Sequence, residues 1–350
     1  MKRVLLLGYY GFENAGDELL LFSLLEILKR KRMTMRVLSN SPIRTTKQFK
    51  VKSINRWNVF SIIFHIFWCD ILMFGGGSLI QDTTSSKSLY YYLCIILFSI
   101  ICRKKIVLCS QGVGPLNRKI NREIVRFILN RVDNISLRDK ESLEFLNELK
   151  VVSPKREIIP DPTFLLNPSI EKTFKELIIG FSFSEKASSS LDLIKWITYN
   201  LTKERKIKIV LIPFHKKEDS RINREIYFYL IKRGLSSLVT YREWDNPLDV
   251  FRIYNDISFL VGMRLHSLMI SVLMEKPFIA LFSTLYKDLD PKVVSFLKLL
   301  DFQSYTFSFS LPEKIIQLWK QKDQMIHKIQ QSKRELQYNV QKLHRFVQTI

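Results

Sequence analysis

Residues 257–267 read Ile257-Ser258-Phe259-Leu260-Val261-Gly262-Met263-Arg264-Leu265-His266-Ser267. The first five residues are mostly apolar, as in a buried parallel strand, and apolar residues at helical spacing follow from Leu268. A glycine that ends a strand, followed by a cation and an imidazole, is typical of a strand-to-helix crossover, where helix N–H groups and side chains converge on an anion. The motif therefore predicts that Arg264 and His266 face a ligand. The alternative is that Arg264 is a solvated loop cation and His266 a packing histidine.

The composition describes a large, folded and strongly basic chain. Its 350 residues are 47% hydrophobic and 12% aromatic, which is enough for two domains of ordinary size and excludes a disordered chain. The formal net charge of +22 predicts a partner of opposite sign, such as a nucleic acid, an anionic lipid or a phosphorylated substrate. The four cysteines lie in or beside apolar runs and form no Cys-x-x-Cys pair, which indicates free thiols in a reducing, cytoplasmic compartment.

The chain begins with another strand-loop-helix pattern. The apolar run from Val4 to Leu7 is followed by a glycine-punctuated loop from Gly8 to Glu18 and then by apolar residues at helical spacing. We interpret the run as a first strand rather than a signal peptide, and the loop as a phosphate cradle at a helix N-terminus. The spacing matches neither Gly-x-Gly-x-x-Gly nor the Walker A motif, and a structural turn explains Gly11 and Gly16 equally well.

Two more loops follow buried strands. Ile71 to Phe74 runs into Gly75-Gly76-Gly77, and Ile106 to Cys109 runs into Ser110-Gln111. Three consecutive glycines let the backbone approach a ligand closely, at an entropic cost that a structural turn rarely requires. Arg138 ends a third, short strand, where its guanidinium could hold a carboxylate or phosphate or pair with the neighbouring aspartate.

Basic and apolar segments bear on membrane binding. Residues 103–138 contain nine basic residues against two acids, and residues 44–56 contain five basic residues and no acid, which indicates a solvated loop or an anion-binding patch. Residues 57–74 are mostly apolar but include a histidine and an aspartate, and the apolar segment 89–102 is too short to span a bilayer. We therefore predict buried or interfacial helices and no spanning segment.

Successive strand-helix units imply an α/β fold of two doubly wound, Rossmann-like domains facing a cleft. A basic first domain is expected over residues 1–165, a linker over 166–176, a second domain over 177–325 and a C-terminal helix over 326–350. Every loop described above follows the carboxyl end of a strand, where such folds bind their ligands. No metal site is predicted, because the histidines and carboxylates lack ligand spacing.

Eight motifs occur in an order that resembles the polysaccharide pyruvyl transferases, particularly the CsaB type. They are Gly8–Glu18, Gly75–Ser78, Gln111–Pro115, Arg138-Asp139, Asp161–Thr163, Pro213–His215, Arg264–His266 and Asp290–Lys292. The resemblance implies a GT-B-like fold and transfer of pyruvate from phosphoenolpyruvate to a sugar diol. The product would be a cyclic ketal on a lipid-linked or polymeric cell-wall glycan, with release of phosphate and no cofactor besides the phosphoenolpyruvate co-substrate.

The resemblance also assigns site residues. Those expected around phosphoenolpyruvate are Arg138, Gly262, Arg264, His266 and Lys292. Arginine can hold a carboxylate or phosphate through two N–H groups, lysine can neutralise the leaving phosphate, and imidazole can move a proton near neutral pH, so His266 and Arg264 are the expected catalytic residues. The residues expected to bind the acceptor are Asn14, Gly16, Asp17, Gly75, Gly76, Gly77 and Gln111.

Two departures from the family pattern leave contacts open. The stretch Phe181–Ser184 stands where family members often carry an arginine, and Lys287 competes with Lys292 for the lysine role. The main alternative function is a GT-B glycosyltransferase in which Arg264 and Lys292 hold the diphosphate of a nucleotide sugar.

The net charge suggests two further partners. A nucleic acid is not expected, because no reader motif is present and the glycines at strand ends would be unexplained. An anionic membrane is compatible with the enzyme: the basic first domain, with aromatic residues near Trp57 and Tyr90, could rest on the inner face of the plasma membrane and meet a lipid-linked acceptor there.

Overall fold

The computed structural model describes residues 1–83, 85–170, 176–282 and 291–348, and the chain forms two compact units. Unit 1 comprises Met1–Phe12, Asp17–Leu166 and Leu336–Ile350, whereas unit 2 comprises Glu13–Gly16 and Asn167–Glu335. Four residues from the first loop thus belong to unit 2, and the end of the chain belongs to unit 1.

Unit 1 is built on a seven-stranded sheet of parallel strands in the order β3-β2-β1-β4-β5-β6-β7. Its strands are β1 (Arg3–Leu7), β2 (Thr34–Ser39), β3 (Lys52–Asn55), β4 (Ile71–Ile80), β5 (Lys105–Val113), β6 (Asn134–Leu137) and β7 (Lys155–Ile158). The helices between them are α1 (Ala15–Arg30), α2 (Pro42–Phe49), α3 (Val59–Trp68), α4 (Ser86–Ile101), α5 (Lys119–Leu129) and α6 (Lys140–Glu148). The central strands are buried on both faces, which explains their continuous apolar runs.

Unit 2 is built on a six-stranded parallel sheet in the order β10-β9-β8-β11-β12-β13. Its strands are β8 (Ile178–Ser182), β9 (Lys208–Leu211), β10 (Val239–Tyr241), β11 (Phe259–Gly262), β12 (Phe278–Phe282) and β13 (Ser304–Thr306). The helices of unit 2 are α7 (Leu191–Tyr199), α8 (Lys216–Ile231), α9 (Asp249–Asn255), α10 (Leu265–Leu273), α11 (Pro291–Leu300) and α12 (Leu311–Lys320). Helix α13 (Lys322–Val340) begins in unit 2 and ends in unit 1, and α14 (Lys342–Gln348) belongs to unit 1. Short 3₁₀ turns cover Pro162–Leu165 in unit 1 and Glu185–Ser190 in unit 2, and a π-helical turn covers Asn200–Glu204.

The fold class predicted from the sequence, an α/β chain of two doubly wound Rossmann-like domains, is confirmed. In each sheet the chain runs outward from a central strand in one direction and then returns to add strands on the other side. The strand after which the direction changes is where such sheets bind ligands. The carboxyl ends of β1 and β4 in unit 1, and of β8 and β11 in unit 2, flank these points.

Two strands of unit 1 are longer than the sequence indicated. We expected a turn at Gly75-Gly76-Gly77 and a loop at Gln111, but β4 continues to Ile80 and β5 to Val113. The parallel ladder persists because Gly75 pairs with Cys109 and Gly77 with Gln111, with a register shift before Ile80. The glycines are therefore part of a strand.

The basic segment 44–56 is not a solvated loop. It contains most of α2 and all of β3, and the segment ends at Arg56, which is buried. The guanidinium of Arg56 donates to the carbonyl oxygen of Gly8 (2.7 Å) and to the Tyr92 hydroxyl (3.1 Å), and it lies over several aromatic rings. Basic residues of β3 and its flanks thus serve the fold as well as the surface.

No helix in the parts of the chain that the structure describes is long and apolar enough to cross a bilayer. The two apolar segments noted in the sequence form α3 and α4, which both pack against the sheet of unit 1.

Candidate active site

The strand-to-helix crossover predicted in unit 2 is present. β11 ends at Gly262, which lies in register with Ser182 at the end of β8, and α10 begins at Leu265 with Arg264 as its N-cap residue. A Cβ atom at position 262 would lie 2.7 Å from the Ser267 hydroxyl, so glycine permits the chain to enter the helix here. The backbone N–H groups of the first turn of α10 are thereby presented at the carboxyl end of the sheet.

Arg264 is held by two carboxylates of α8. Its Nε donates to Asp219 Oδ2 (3.1 Å) and its Nη2 donates both to Asp219 Oδ1 and to Glu218 Oε2 (2.8 Å). Asp219 is fully buried, whereas the side chains of Arg264 and Glu218 are 22% and 49% exposed. Within the described residues, no hydrogen bond from Nη1 is found, so this edge of the guanidinium remains available.

The electrostatics of this group keep the guanidinium charged. Burial disfavours the charge of Arg264, but the attraction of Asp219 and the hydrogen bonds to both acids outweigh burial and raise its pKa. Partial burial alone would raise the pKa of Glu218. The hydrogen bond from Arg264 and the nearby His215 and Lys186 outweigh burial and lower this pKa below its usual range. Arg264 and Glu218 are therefore both ionised at neutral pH.

Asp219 organises the site and was not singled out in the sequence. Besides Arg264, its carboxylate accepts hydrogen bonds from the backbone N–H of His215 (2.9 Å) and of Glu185 (3.4 Å). It therefore ties together α8, the turn after β8 and the N-terminus of α10. The signal was present as His215-x-x-Glu218-Asp219 directly after a strand, where two acids in the first turn of a helix follow a capping residue.

His215 caps α8 and is uncharged. Its Nδ1 accepts a hydrogen bond from the backbone N–H of Glu218 (3.3 Å), so the ring proton must reside on Nε2, which lies 3.5 Å from Glu218 Oε1. Burial, reinforced by the charge of Arg264, lowers the pKa of His215 despite the opposing pull of Glu218 and Asp219. The Pro213–His215 motif thus supplies a neutral imidazole beside the Arg264 group.

The four-residue segment Glu13–Gly16 joins the same site in unit 2. Asn14 forms an isolated antiparallel bridge with His215, and the backbone N–H of Ala15 donates to the carbonyl of Phe214 (3.0 Å). A Cβ atom on Gly16 would lie 2.1 Å from His266 Cγ, so the backbone of this glycine lies directly against the imidazole. Of the residues expected to bind the acceptor, Gly16 thus lies against His266, which we expected near phosphoenolpyruvate, and Asn14 lies beside His215.

The structure describes only one of the two lysines that could contact the phosphate. Lys292 is the second residue of α11 and is partly exposed. Lys287 lies outside the described residues.

In unit 1, Arg138 follows β6 and is buried. Its Nη2 donates to the Ser78 hydroxyl (2.9 Å) and its Nε to Asp139 Oδ2 (3.2 Å). Asp139 in turn caps α6 by accepting from the backbone N–H of Ser142 (2.7 Å). The guanidinium is therefore oriented by two strand ends and a helix cap, although it belongs to a different unit from Arg264 and His266.

The glycines of β4 are largely explained by packing. A Cβ atom on Gly75 would lie 2.0 Å from the Tyr10 hydroxyl, and one on Gly76 would lie 2.4 Å from Leu20 Cδ1. Their carbonyl oxygens accept hydrogen bonds from Tyr10 and from Gln111 Nε2. These contacts explain the two glycines by packing within unit 1, and their expected contact with an acceptor stays a prediction.

Gly77 and Gln111 retain features of a polar site. A Cβ atom on Gly77 would contact only the Asp17 carboxylate (3.5 Å) and Leu79 (3.9 Å) among the described residues. Gln111 is buried, and its Oε1 accepts no hydrogen bond from the described part of the chain. Asp17 and Gly77 thus lie close together at one end of β4, and Gln111 pairs with Gly77 in the ladder.

Glu18, next to Asp17, is a buried carboxyl group to which the sequence pattern assigned no role. Its Oε1 accepts from the backbone N–H of Gly11 (2.8 Å). Burial raises the pKa of Glu18 to about 8, with the hydrogen bond from Gly11 opposing and the charge of Asp17 adding to the shift. It is therefore mostly protonated at neutral pH.

Several solved structures share this architecture. The chain is 10% identical to HepE from Anabaena in complex with UDP-glucose, with a TM-score of 0.66 over 100% of both chains. It is 12% identical to a glycosyltransferase from Rickettsia africae, with a TM-score of 0.64 over 99% of this chain and 97% of that one. It is 13% identical to the UDP-GlcNAc 2-epimerase from Neisseria meningitidis bound to UDP-GlcNAc, with a TM-score of 0.62 over 99% and 98%. At these identities the likeness concerns the fold, which is GT-B-like as expected.

Comparison of sequences is more specific. Among curated proteins no significant match was found. The family model described as polysaccharide pyruvyl transferase matches residues 14–282, which is more than half of the chain and includes Asn14, His215, Asp219, Arg264 and His266. The chain therefore belongs to the polysaccharide pyruvyl transferase family.

Proposed function

We propose that the protein transfers the pyruvyl group of phosphoenolpyruvate to two hydroxyl groups of a sugar in a cell-wall or surface glycan, as in the CsaB type. Two C–O bonds form at C2 of the pyruvyl group, and its bond to the phosphate oxygen breaks. The two hydroxyl groups together release two protons. In the overall reaction one proton is taken up by the methylene carbon, which becomes a methyl group, and one is taken up by the phosphate. The products are a cyclic ketal and inorganic phosphate.

The observation that carries this proposal is the fixed guanidinium of Arg264 at the N-terminus of α10, with His266 two residues later. Asp219 immobilises Nε and Nη2, so Nη1 and the first-turn N–H groups of α10 can be directed at one anion. Phosphoenolpyruvate carries both a carboxylate and a phosphate, and either group fits this combination.

Glu218 provides a counter-ion that the substrate can displace. In the absence of substrate, the single guanidinium of Arg264 is paired with two carboxylates, those of Asp219 and Glu218. The Glu218 side chain is about half exposed, so breaking its pair with Arg264 costs roughly 1 kcal/mol or less. We infer that an anionic group of phosphoenolpyruvate replaces Glu218 on the guanidinium, whereas the buried Asp219 stays in place.

His266 is the proposed acid or base. An imidazole titrates close to neutral pH and can either protonate the methylene carbon or remove the proton of a sugar hydroxyl. Contact with the backbone of Gly16 fixes the position of the ring. Lys292 is proposed to neutralise the leaving phosphate, and Arg138 to hold an anionic group of the donor.

The acceptor residues are assigned more narrowly than the sequence suggested. In unit 1 we assign them to Asp17, Gly77 and Gln111, because Gly75 and Gly76 are committed to internal contacts. The acceptor is proposed to be lipid-linked and the reaction cytoplasmic, where the four cysteines, all free, would remain reduced.

Donor binding can be tested before the acceptor is known. Thermal-shift and calorimetric titrations should show that phosphoenolpyruvate binds the wild-type protein and that Arg264→Lys weakens binding at least tenfold, since lysine cannot reproduce the two-sided contact. The matched control is Arg252→Lys, which changes an exposed arginine of α9 paired with Asp249. Equal binding by both variants would contradict the assignment of Arg264.

The same titration with UDP-sugars tests the rival glycosyltransferase function, which the shared fold keeps under consideration. Stabilisation by a UDP-sugar but not by phosphoenolpyruvate would overturn the proposal. If phosphoenolpyruvate binds, incubation with candidate lipid-linked glycans should release phosphate and increase the product mass by one pyruvate less one water.

A further inference from the structure

Helix α3 is apolar on the side that faces away from the core as well as on the buried side. Ile62 and Ile66 are buried, whereas Phe60, Phe64 and Phe67, spaced four and three residues apart, have 87%, 63% and 60% of their surface exposed. A helix that is apolar all round is ordinarily covered on both sides, so the outer side of α3 is expected to contact something.

Helix α4 extends the same surface. After Lys87 and Ser88 in its first turn, its exposed positions recur at helical spacing and are Tyr90, Cys94, Leu97 and Ile101. An edge-to-face contact between the rings of Phe67 and Phe98, with centroids 6.0 Å apart, joins α4 to α3. The two helices therefore present one continuous exposed area.

Helix α5 lies in the same layer. Ile66 of α3, Leu93 of α4 and Val125 of α5 belong to one buried cluster, so the three helices cover the same face of the unit 1 sheet. Their outer sides consequently face away from the sheet together. We call this surface the aromatic face; its exposed members are Phe60, Phe64, Phe67, Tyr90, Leu97, Ile101, Ile120 and Phe127.

The charges around the aromatic face have one dominant sign. Residues 57–129, which contain α3, α4 and α5, include three acids, Asp70, Asp82 and Glu123. Asp70 is paired with Arg3, Glu123 with Arg126, and Asp82 accepts hydrogen bonds from the N-terminal end of α5, so all three carboxylates are neutralised locally. Exposed cations at the ends of these helices include Lys87, Arg103, Arg118 and Lys119. The Lys104 ammonium binds the carbonyl oxygens of Phe67 and Cys69 at the end of α3.

We propose that the aromatic face binds an anionic lipid bilayer, with α3 lying in the plane of the interface and its phenylalanines inserted among the acyl chains. Aromatic side chains surrounded by cations are the features of an interfacial helix, and each lysine or arginine near an anionic surface strengthens binding about fivefold. A protein partner would be expected to meet this rim with acids of its own, whereas a bilayer supplies the opposite charge and the apolar phase together. The proposal does not depend on which reaction the protein catalyses.

Sedimentation with vesicles tests the proposal on the full chain without substrate. Binding to phosphatidylcholine vesicles that contain phosphatidylglycerol should exceed binding to phosphatidylcholine alone and should fall as salt is added. Phe60→Gln with Phe64→Gln should reduce the partition coefficient at least roughly tenfold, since two exposed phenyl groups lose their apolar phase. Lys87→Gln with Lys119→Gln should reduce it only on anionic vesicles.

The matched control is Phe228→Gln, which removes an exposed phenylalanine from α8 of unit 2 and should leave vesicle binding unchanged. Vesicles with brominated acyl chains should quench the fluorescence of Trp57, which is exposed just before α3, and the quenching should disappear in Trp57→Phe. Equal binding of the phenylalanine double variant and the wild type would overturn the proposal. A dimer in solution that the double variant converts to a monomer, without vesicle binding by the wild type, would also overturn it and identify a second copy as the partner.

Discussion

Replacing Glu18 with glutamine should remove a pH dependence from the stability of unit 1. The carboxyl is buried in the first turn of α1, and burial raises its pKa from 4.5 to about 8. Glutamine is isosteric and its side-chain oxygen can still accept from the backbone N–H of Gly11. The substitution therefore removes ionisation without removing the contact.

The sign follows from proton linkage. Because the folded carboxyl binds its proton more tightly than the unfolded one, the folded state is favoured at low pH, and its stability falls as pH rises from the unfolded value of 4.5 to the folded value of about 8. At about 1.4 kcal/mol per pH unit, the loss of folding free energy over this pH range amounts to about 5 kcal/mol. The N-terminus of α1 favours a carboxylate by up to about 2 kcal/mol, so the net loss should be about 3 to 5 kcal/mol.

The assay is urea denaturation monitored by hydrogen exchange in peptides from α1 and β4, so that the free energy of unfolding refers to unit 1. Between about pH 4 and about pH 9, a range that brackets both pKa values, the advantage of Glu18→Gln over wild type should grow by that amount. The control is Glu26→Gln, which changes a glutamate of the same helix whose carboxylate is paired with Lys29 at the surface. A difference between Glu18→Gln and wild type that stays constant with pH would refute the reasoning.

Three further predictions concern unit 2. His266→Ala should abolish phosphate release while leaving the far-ultraviolet circular dichroism unchanged; turnover close to wild type would exclude this residue as the acid or base. Gly16→Ala should lower turnover at least tenfold in the same phosphate assay, because the new methyl group would lie 2.1 Å from His266 Cγ; wild-type rates would show that the imidazole needs no support from this loop. Asp219→Asn should destabilise the protein by about 3 kcal/mol in urea denaturation, at the lower end for a broken buried pair because Glu218 still binds Arg264. A loss below about 1 kcal/mol would argue against Asp219 as the organising carboxylate.

The sequence was sufficient to predict the fold class because the signal is local. A buried parallel strand is a continuous apolar run, and Val4–Leu7 and the run ending at Val261 are of this kind. The ends of strands were less predictable. The extension of β4 through three glycines depends on its pairing with β5, and no periodicity in the segment itself reports a neighbour in the sheet.

The sequence also did not predict which charged residues are buried. Arg56 looked like one cation among several in a basic stretch, yet its partners are the carbonyl of Gly8 and the ring and hydroxyl of Tyr92, which are far away in the sequence. Asp219 was missed for the same reason, because its importance comes from Arg264, which lies 45 residues later. Residue types near the site could be predicted from motifs, whereas the pairs they form depend on the tertiary structure.

The unit boundaries have a consequence for attempts to divide the chain. Cutting after Leu166 would give an amino-terminal fragment that lacks residues 336–350 of its own unit, and a carboxyl-terminal fragment without Glu13–Gly16. The second fragment would lose the strand bridge to His215 and the backbone that lies against His266. Neither fragment is therefore expected to fold stably on its own. Insertions or fusions that leave Glu13–Gly16 and residues 336–350 attached to the chain should be better tolerated than a cut after Leu166.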